Sequence, residues 1–505
     1  MILAAAAALF TASAQQINPI TRAMLEGYTE LLRENPKDYQ TLYERAAQYY
    51  RLSQYDRALD DLAKGLEYAP VKDAAYRVQA FSLMADAAME MKNYDLALRS
   101  VDSALALEPD NYANIYKKGN ICLLLDRPEE AYKAFASLQR LKSRSQEAYF
   151  GMAQASIMKG DNAEARDLLK EAEAADPTNY ITFCRVGDLY REMKEPQNAA
   201  SNYLIGFTMA ENPMRPLESL VDLGRSDYNA VAEALDFSIN KSTSKIPLLY
   251  LKGSIANACG HYADARDAMT RLLAYPDGRE AGAYQQLALA DLALNMLPDA
   301  LEAADKAIAI SPSSELYDLK ARVLVAKGDY AQALVETSKA ITADHDNVDA
   351  QLTRAKAQLL MKEGKDALST LNEILVSVPD NMEALLFRAY DQDVLLANGK
   401  AAIGDFNRII TEEPADPRSV AIQAIARAKA GKKIDADAQI EKLVKENPSA
   451  DAFFYAAVFY AQTSNLEKGV EMVKRAAYEG FADKYLLETD MTPWLNIAPL
   501  RMLLK

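Results

Sequence analysis

The chain has 505 residues, half of them apolar, with 72 acidic and 57 basic side chains and a formal net charge of −15 at pH 7. This acidic balance argues against nucleic acid or an anionic lipid surface as the main partner, because phosphate binding needs clustered Lys and Arg side chains. Two histidines and three cysteines nearly exclude a histidine-rich metal centre and a disulfide framework, and 19 glycines with 19 prolines exclude collagen-like and low-complexity chains.

The N-terminal residues have the pattern of an export signal. Residues 2–11 are uncharged and, apart from Thr11, apolar. The first charged side chain is Arg22, and Ala12-Ser13-Ala14 has the small-x-small pattern of a signal-peptidase site. The apolar run is shorter than the roughly 20 residues that a membrane-spanning helix needs. We therefore predict a signal peptide over residues 1–14, cleaved near Ala14, an exported protein that is periplasmic or secreted, and no integral membrane segment. An Ala-rich first helix of the fold is the alternative.

Prolines recur at a fixed period through the rest of the chain. Three intervals are 34 residues long: Pro36–Pro70, Pro213–Pro247 and Pro414–Pro448. Five repeat-ending prolines are followed by polar residues that cap the first turn of a helix, in Asp110-Asn111, Thr178-Asn179, Ser313-Ser314, Asp380-Asn381 and Ser449. Gly160, Gly260 and Gly328 lie midway between prolines, where glycine accepts the left-handed conformation that ends a helix. Each period thus predicts two short helices joined by a tight turn, and the fixed period indicates a solenoid.

Small and aromatic residues recur at matching places in each period. The unit 42–70 has Ala46 and Ala58 where the unit 149–177 has Ala153 and Ala165, and both units end in proline. This pattern resembles the tetratricopeptide repeat (TPR), in which small residues let neighbouring helices approach closely while aromatic rings fill the gaps. The resemblance covers nearly nine tenths of the chain. It implies an all-α fold, a right-handed α-solenoid of about thirteen TPR helix-turn-helix units.

Departures from the repeat pattern divide the chain. The segment 212–246 keeps the spacing but loses the small residues. The predicted divisions are an N-terminal TPR array over 17–211, a degenerate repeat or seam at 212–246, a C-terminal TPR array over 247–482 and a capping segment over 483–505. Before the first repeat, Ile20–Glu34 is predicted as a single amphipathic helix. The only tryptophan, Trp494, is predicted to cover the apolar face of the last repeat, with a ligand site at Trp494 as the alternative.

Sequence motifs of enzymes do not occur in the chain. It contains no G-x-x-x-x-G-K phosphate loop, no H-E-x-x-H and no G-x-S-x-G motif. Cys259 and His261 together supply at most half of a zinc site, which needs three or four ligands. We predict no catalytic residue, no cofactor and no metal. An enzyme or carbohydrate-processing subunit with a site near 212–246 is the alternative from a different class.

The TPR resemblance implies that the first helices of the units line an inner, concave face. Aromatic residues at an early place in these helices, flanked by amide and arginine side chains, are suited to hold an extended peptide. The candidate partner-binding residues are Tyr43, Tyr116, Lys117, Asn120, Phe150, Gln154, Arg185, Asp188, Arg191 and Tyr250. Packing of the aromatic rings in the core is the competing interpretation.

The leading hypothesis for function is a non-enzymatic TPR scaffold that binds a protein or peptide partner in the cell envelope through its concave groove. A co-chaperone-like adaptor that binds peptide tails is the second hypothesis. Lys117 and Asn120 resemble parts of the carboxylate clamp of such adaptors, but the other clamp residues do not fall into register across three consecutive units. The sequence does not specify an oligomeric state.

Overall fold

The computed structural model describes most of the chain. The described residues are 19–142, 144–414 and 416–481. Within these ranges the protein is all-α, with 27 α-helices and no strand. The predicted signal peptide and capping segment, including Trp494, lie outside them. The predicted fold class is confirmed.

The chain divides into two compact units between Ser219 and Leu220, and this division falls inside α12. The helices up to the division are α1 (Pro19–Glu34), α2 (Tyr39–Arg51), α3 (Tyr55–Tyr68), α4 (Ala74–Glu90), α5 (Tyr94–Leu107), α6 (Tyr112–Leu124), α7 (Pro128–Leu141), α8 (Gln146–Met158), α9 (Asn162–Ala175), α10 (Tyr180–Glu192), α11 (Pro196–Met209) and α12 (Met214–Ser226). The single helix α1 confirms the helix predicted over 20–34.

The second unit continues the same alternation of first and second helices. Its helices are α13 (Tyr228–Lys241), α14 (Ile246–Ala258), α15 (Tyr262–Leu273), α16 (Ala281–Ala293), α17 (Leu297–Ile310), α18 (Ser314–Lys327), α19 (Tyr330–Ala343), α20 (Val348–Leu360), α21 (Gly364–Ser377), α22 (Met382–Tyr390), α23 (Gly399–Thr411), α24 (Pro417–Lys429), α25 (Lys433–Glu446), α26 (Ala450–Gln462) and α27 (Leu466–Tyr478). A 3₁₀ turn spans Pro276–Gly278 and a π-helical turn spans Asp391–Leu395. After α1, the described part of the chain holds 26 helices, a number consistent with about thirteen two-helix repeats.

Helix boundaries follow the capping and turn signals of the sequence. Asn111 accepts a hydrogen bond from the backbone N–H of Asn114 at the start of α6, which satisfies one of the unpaired amides of the first turn. Gly160, Gly260 and Gly328 all have positive φ, between 79° and 86°, at the turns between paired helices. This left-handed conformation is the one that glycine adopts without a steric penalty. The predicted helix-turn-helix unit is confirmed.

Close helix packing in the first unit depends on glycines around Phe135. Phe135 on α7 is fully buried between Gly119 on α6 and Gly151 on α8. A Cβ atom at Gly119 would lie 2.5 Å from Phe135 Cζ, and one at Gly151 would lie 2.4 Å from the same ring. The absence of side chains at these two positions therefore makes room for a phenyl ring where three helices meet.

Buried ion pairs join the two helices of three repeats at one matching position. The seventh residue of a first helix is basic and pairs with the seventh residue of the following second helix, which is acidic and almost fully buried. The pairs are Arg45–Asp61 at 2.7 Å, Lys320–Glu336 at 3.4 Å and Arg388–Asp405 at 2.6 Å. Two of these are two-pronged arginine–carboxylate contacts, a geometry that fixes the relative position of the two helices.

First helices of consecutive repeats also contact each other. In the first unit α6 packs against α8, and in the second unit α14 packs against α16 and α18 against α20. The side chains on one face of successive first helices therefore share a surface, which we call the inner face of each unit. Among the described helices, none is long and apolar enough to cross a membrane.

Candidate partner-binding site on the first helices

A polar cavity of about 160 Å³ lies on the inner face of the first unit, between α6, α8 and α10. Its lining residues are Tyr116, Asn120, Phe135, Glu147, Phe150, Gly151, Gln154, Arg185, Asp188, Leu189 and Glu192. Six of the ten residues singled out in the sequence meet here: Tyr116, Asn120, Phe150, Gln154, Arg185 and Asp188. Their role in binding remains a prediction.

Arg185 stacks on the ring of Phe150 at the floor of this cavity. Its guanidinium carbon lies 3.9 Å from the ring centroid, a close cation–π contact. Phe150 is only 3% exposed, so its ring belongs to the core, as the competing interpretation held, and supports Arg185 from below. Burial lowers the pKa of the Arg185 guanidinium, but an arginine stays charged at neutral pH. The cavity thus contains a fixed, half-buried positive charge.

Asp188 and Glu147, the two carboxylates whose charges act on Arg185, have other partners. Asp188 accepts hydrogen bonds from the Tyr203 hydroxyl at 2.8 Å and from Arg215 at 3.4 Å. Glu147 accepts a hydrogen bond from Ser145, and hydrogen bonding to its own backbone N–H and to Ser145 lowers the pKa of this carboxyl. Among the described residues no carboxylate oxygen lies within 4.0 Å of the Arg185 guanidinium. Its N–H groups are available to an external anion.

Two amide side chains of the cavity are also without partners. Asn120 on α6 and Gln154 on α8 are half-buried, and neither side chain makes a hydrogen bond within the described part of the chain. An amide side chain offers both a donor and an acceptor, which matches the alternating N–H and C=O groups of an extended peptide backbone. The cavity therefore combines one unpaired cation with two unpaired amides.

The other four residues predicted from the sequence lie outside the cavity. Lys117 is held against α4, where its ammonium group pairs with Asp86 at 2.6 Å and contacts Ser82 at 2.8 Å. Tyr43 packs edge-on against Tyr76, with ring centroids 6.1 Å apart. Arg191 is exposed on α10, and Tyr250 lies in the second unit, 40% exposed.

Sequence reasoning did not single out Glu147, Leu189 or Glu192 as cavity residues. The period of the α-helix places these three residues on the same helix faces as the predicted cavity residues. Glu147, Phe150 and Gln154 are spaced by three and four residues on α8, as are Arg185, Asp188 or Leu189, and Glu192 on α10. Residues at this spacing lie on one face of a helix, so the face that carries Arg185 also carries the acidic rim.

Comparison with known proteins identifies the repeat family. The sequence profiles of the family described as Tetratricopeptide repeat match residues 82–145, 125–180 and 324–389. These matches fall on helix pairs of both units. The chain contains tetratricopeptide repeats in both units. Proteins built from TPRs generally mediate binding of protein or peptide partners.

Two curated proteins match parts of the chain. A TPR repeat-containing protein of Methanocaldococcus jannaschii is 24% identical over 317 residues, which is 63% of this chain and 52% of the relative. The Hsp70-Hsp90 organizing protein of Triticum aestivum is 24% identical over 231 residues, which is 39% of each chain. The chain thus spans about half the length of the first relative and two fifths of the second.

Solved structures also match. The structure of YrrB, described as a TPR protein with an unusual peptide-binding site, is 20% identical, covers 39% of this chain and 98% of its own, and has a TM-score of 0.31. The APC/C hetero-tetramer Cut9-Hcn1 is 13% identical, covers 85% of this chain and 82% of its own, and has a TM-score of 0.36.

Proposed function

We propose that this TPR protein is a non-enzymatic scaffold that holds an extended peptide segment of a protein partner on the inner face of its first unit. The observation that carries the proposal is the unpaired Arg185 guanidinium, fixed on Phe150 in a polar cavity. A half-buried cation without a carboxylate partner is costly unless an anion binds it. A carboxylate side chain of a bound peptide supplies that anion.

The surrounding side chains favour a peptide over a small anion. Asn120 and Gln154 lie on consecutive first helices, α6 and α8, and both line the same cavity as Arg185. Two amides placed on successive helices can bond the backbone of a chain that crosses them, while Arg185 pairs with its acidic side chain. The stack on Phe150 limits the rotamers of Arg185, which lowers the entropy lost on binding.

Replacing Arg185 with glutamine tests the proposal without an identified partner. The probe is a library of heptapeptides, acetylated and amidated at the ends, with random flanks around a central Glu or a central Gln. We expect the immobilised full chain to retain Glu-centred over Gln-centred peptides, and Arg185→Gln to reduce this preference about tenfold or more, since a charge-assisted hydrogen bond contributes about 1.5–3 kcal/mol. Quantitative mass spectrometry of the eluted peptides measures the ratio.

The matched control is Arg166→Gln. Arg166 lies on the second helix α9, is 45% exposed and pairs with Glu195 at 3.2 Å. This change removes the same charge from the first unit but not from the cavity, so the peptide preference should stay that of the parent. A preference for Glu that survives Arg185→Gln and disappears with Arg166→Gln would place binding on the second helices instead.

We also propose that the scaffold works in the cell envelope. The support is the apolar run over residues 2–11 followed by the small-x-small site Ala12-Ser13-Ala14. When the chain is expressed in a Gram-negative host, N-terminal sequencing of the periplasmic fraction should begin at Gln15 or within a few residues of it. Recovery of the chain in the cytosol with an intact N-terminus would contradict this location.

A further inference from the structure

A second inner-face cavity, in the second unit, has the opposite charge. It has a volume of about 530 Å³ and lies between the first helices α16, α18 and α20. Its lining residues are Gln285, Leu289, Glu315, Asp318, Leu319, Arg322, Asp344, Asn347, Val348 and Asp349. Four carboxylates face one guanidinium here, so the cavity is net negative.

Asp318 is the buried acid of this cavity. It is the fifth residue of α18, the place that Tyr116 and Phe150 occupy in α6 and α8. Its side chain is 5% exposed, and its Oδ1 atom has no hydrogen-bond partner among the described residues. Burial raises the pKa of the Asp318 carboxyl, although the nearby Arg322 charge and a hydrogen bond with Thr353 act in the opposite direction. A buried acceptor left without a donor destabilises the fold unless a ligand supplies one.

A neighbouring cavity extends the surface along the first helices. It has a volume of about 370 Å³ and includes Ser254 and Asn257 of α14. The two cavities share Leu289 and Arg322 as lining residues, so they lie side by side along α14, α16, α18 and α20, and we call them together the groove of the second unit. Ser254 Oγ and Asn257 Oδ1 also lack hydrogen-bond partners among the described residues. A groove of this length with unpaired polar atoms fits an extended polypeptide rather than a single ion.

We propose that the acidic cavity around Asp318 binds a lysine or arginine side chain of an extended peptide lying in this groove. The ammonium or guanidinium group would pair with the Asp318 carboxylate and balance the excess of carboxylates. Within the described ranges no three His, Cys, Asp or Glu side chains are arranged to hold a metal ion, so an organic cation is the occupant to which the geometry points. The inference rests on the proposed function as a peptide-binding scaffold and adds the charge that the second unit selects.

Peptide libraries centred on arginine or on citrulline test the assignment. Citrulline keeps the shape of arginine and lacks its charge. At about 150 mM salt, which screens long-range attraction to the acidic chain, we expect the immobilised full chain to retain arginine-centred peptides at least fivefold over citrulline-centred ones. Asp318→Asn should bring this ratio close to one, and Asp349→Asn, at the exposed edge of the cavity, should lower it partly without disturbing the core.

The control variant is Glu373→Gln. Glu373 is exposed on the second helix α21, so the change removes one negative charge of the same unit away from the cavity. The arginine preference should persist in this variant. An arginine preference that is equal in the parent, Asp318→Asn and Asp349→Asn would overturn the assignment, as would equal retention of arginine and citrulline by the parent.

Retention of the two kinds of peptide library by the same immobilised chain separates this inference from the proposed function. Retention of Glu-centred peptides through Arg185 without any arginine preference would leave the first-unit site standing and refute the second-unit site. A parent chain that shows neither the glutamate preference nor the arginine preference would refute both sites.

Discussion

Phe135→Ala is expected to lower the stability of the first unit by about 3–5 kcal/mol. The Phe135 ring is fully buried, packs edge-on against Tyr116 with centroids 6.1 Å apart, and lies between Gly119 and Gly151. Neither glycine has a side chain that could move into the space left by the ring, so the cavity in the variant stays open. Native-state hydrogen exchange of α6, α7 and α8 measures this loss locally, which matters because a repeat array need not unfold in one step.

Phe237→Ala is the control for this experiment. Phe237 on α13 is 60% exposed, and the ammonium group of Lys241 lies 3.9 Å from its ring centroid. Removal of this ring should change stability by less than about 1 kcal/mol. If both substitutions had the same effect, the interdigitation of Phe135 with the two glycines would not be what holds α6, α7 and α8 together.

Asp391→Asn is expected to stabilise the second unit at alkaline pH and to have little effect at acidic pH. Asp391 begins the π-helical turn after α22, is fully buried, and has no hydrogen-bond partner for either carboxylate oxygen among the described residues. Burial raises the pKa of this carboxyl to about 6. Because the folded pKa exceeds the unfolded value, ionisation destabilises the fold fully above about pH 6, and the penalty disappears as the pH falls toward 4.

The expected gain from Asp391→Asn is at most about 3 kcal/mol at pH 8, since one unit of pKa shift corresponds to 1.36 kcal/mol. Urea denaturation of variant and parent at pH 8 and at pH 4 measures the difference. Asp393→Asn, in the exposed part of the same turn, serves as the control and should leave stability unchanged at both values. A gain from Asp391→Asn that is the same at pH 4 as at pH 8 would show that the carboxyl is not charged when buried.

The helix pairs could be predicted because local chemistry repeats at their ends. Gly160, Gly260 and Gly328 mark turns that need a positive φ. Other repeats make the same turn with different residues, such as Lys92 and Lys194, at φ of 58° and 59°. In those repeats the packing of the paired helices, rather than the preference of the residue, imposes the left-handed conformation. Sequence inspection alone does not reveal a turn of this kind.

The candidate sites could be predicted only in part, because a sequence pattern gives the face of a helix and not the partner of a side chain. Arg185 and Lys117 both follow the fifth residue of a first helix, yet Lys117 is paired with Asp86, a residue of the preceding first helix, and Arg185 is not paired. Asp318 was missed for another reason. Aromatic residues at the fifth position of a first helix form the pattern that the sequence displays, and Asp318 occupies that position with a carboxylate.

Site-specific photocrosslinking tests the inner-face site most directly. A benzophenone side chain replaces Gln154, inside the cavity, or Lys133, an exposed residue of the second helix α7 that does not line it, in the full chain with the Glu-centred library. Binding to the inner face predicts several-fold more crosslinked peptide at position 154 than at position 133, and loss of that signal when Arg185→Gln is added. Stronger crosslinking at position 133 that is unaffected by Arg185→Gln would contradict it.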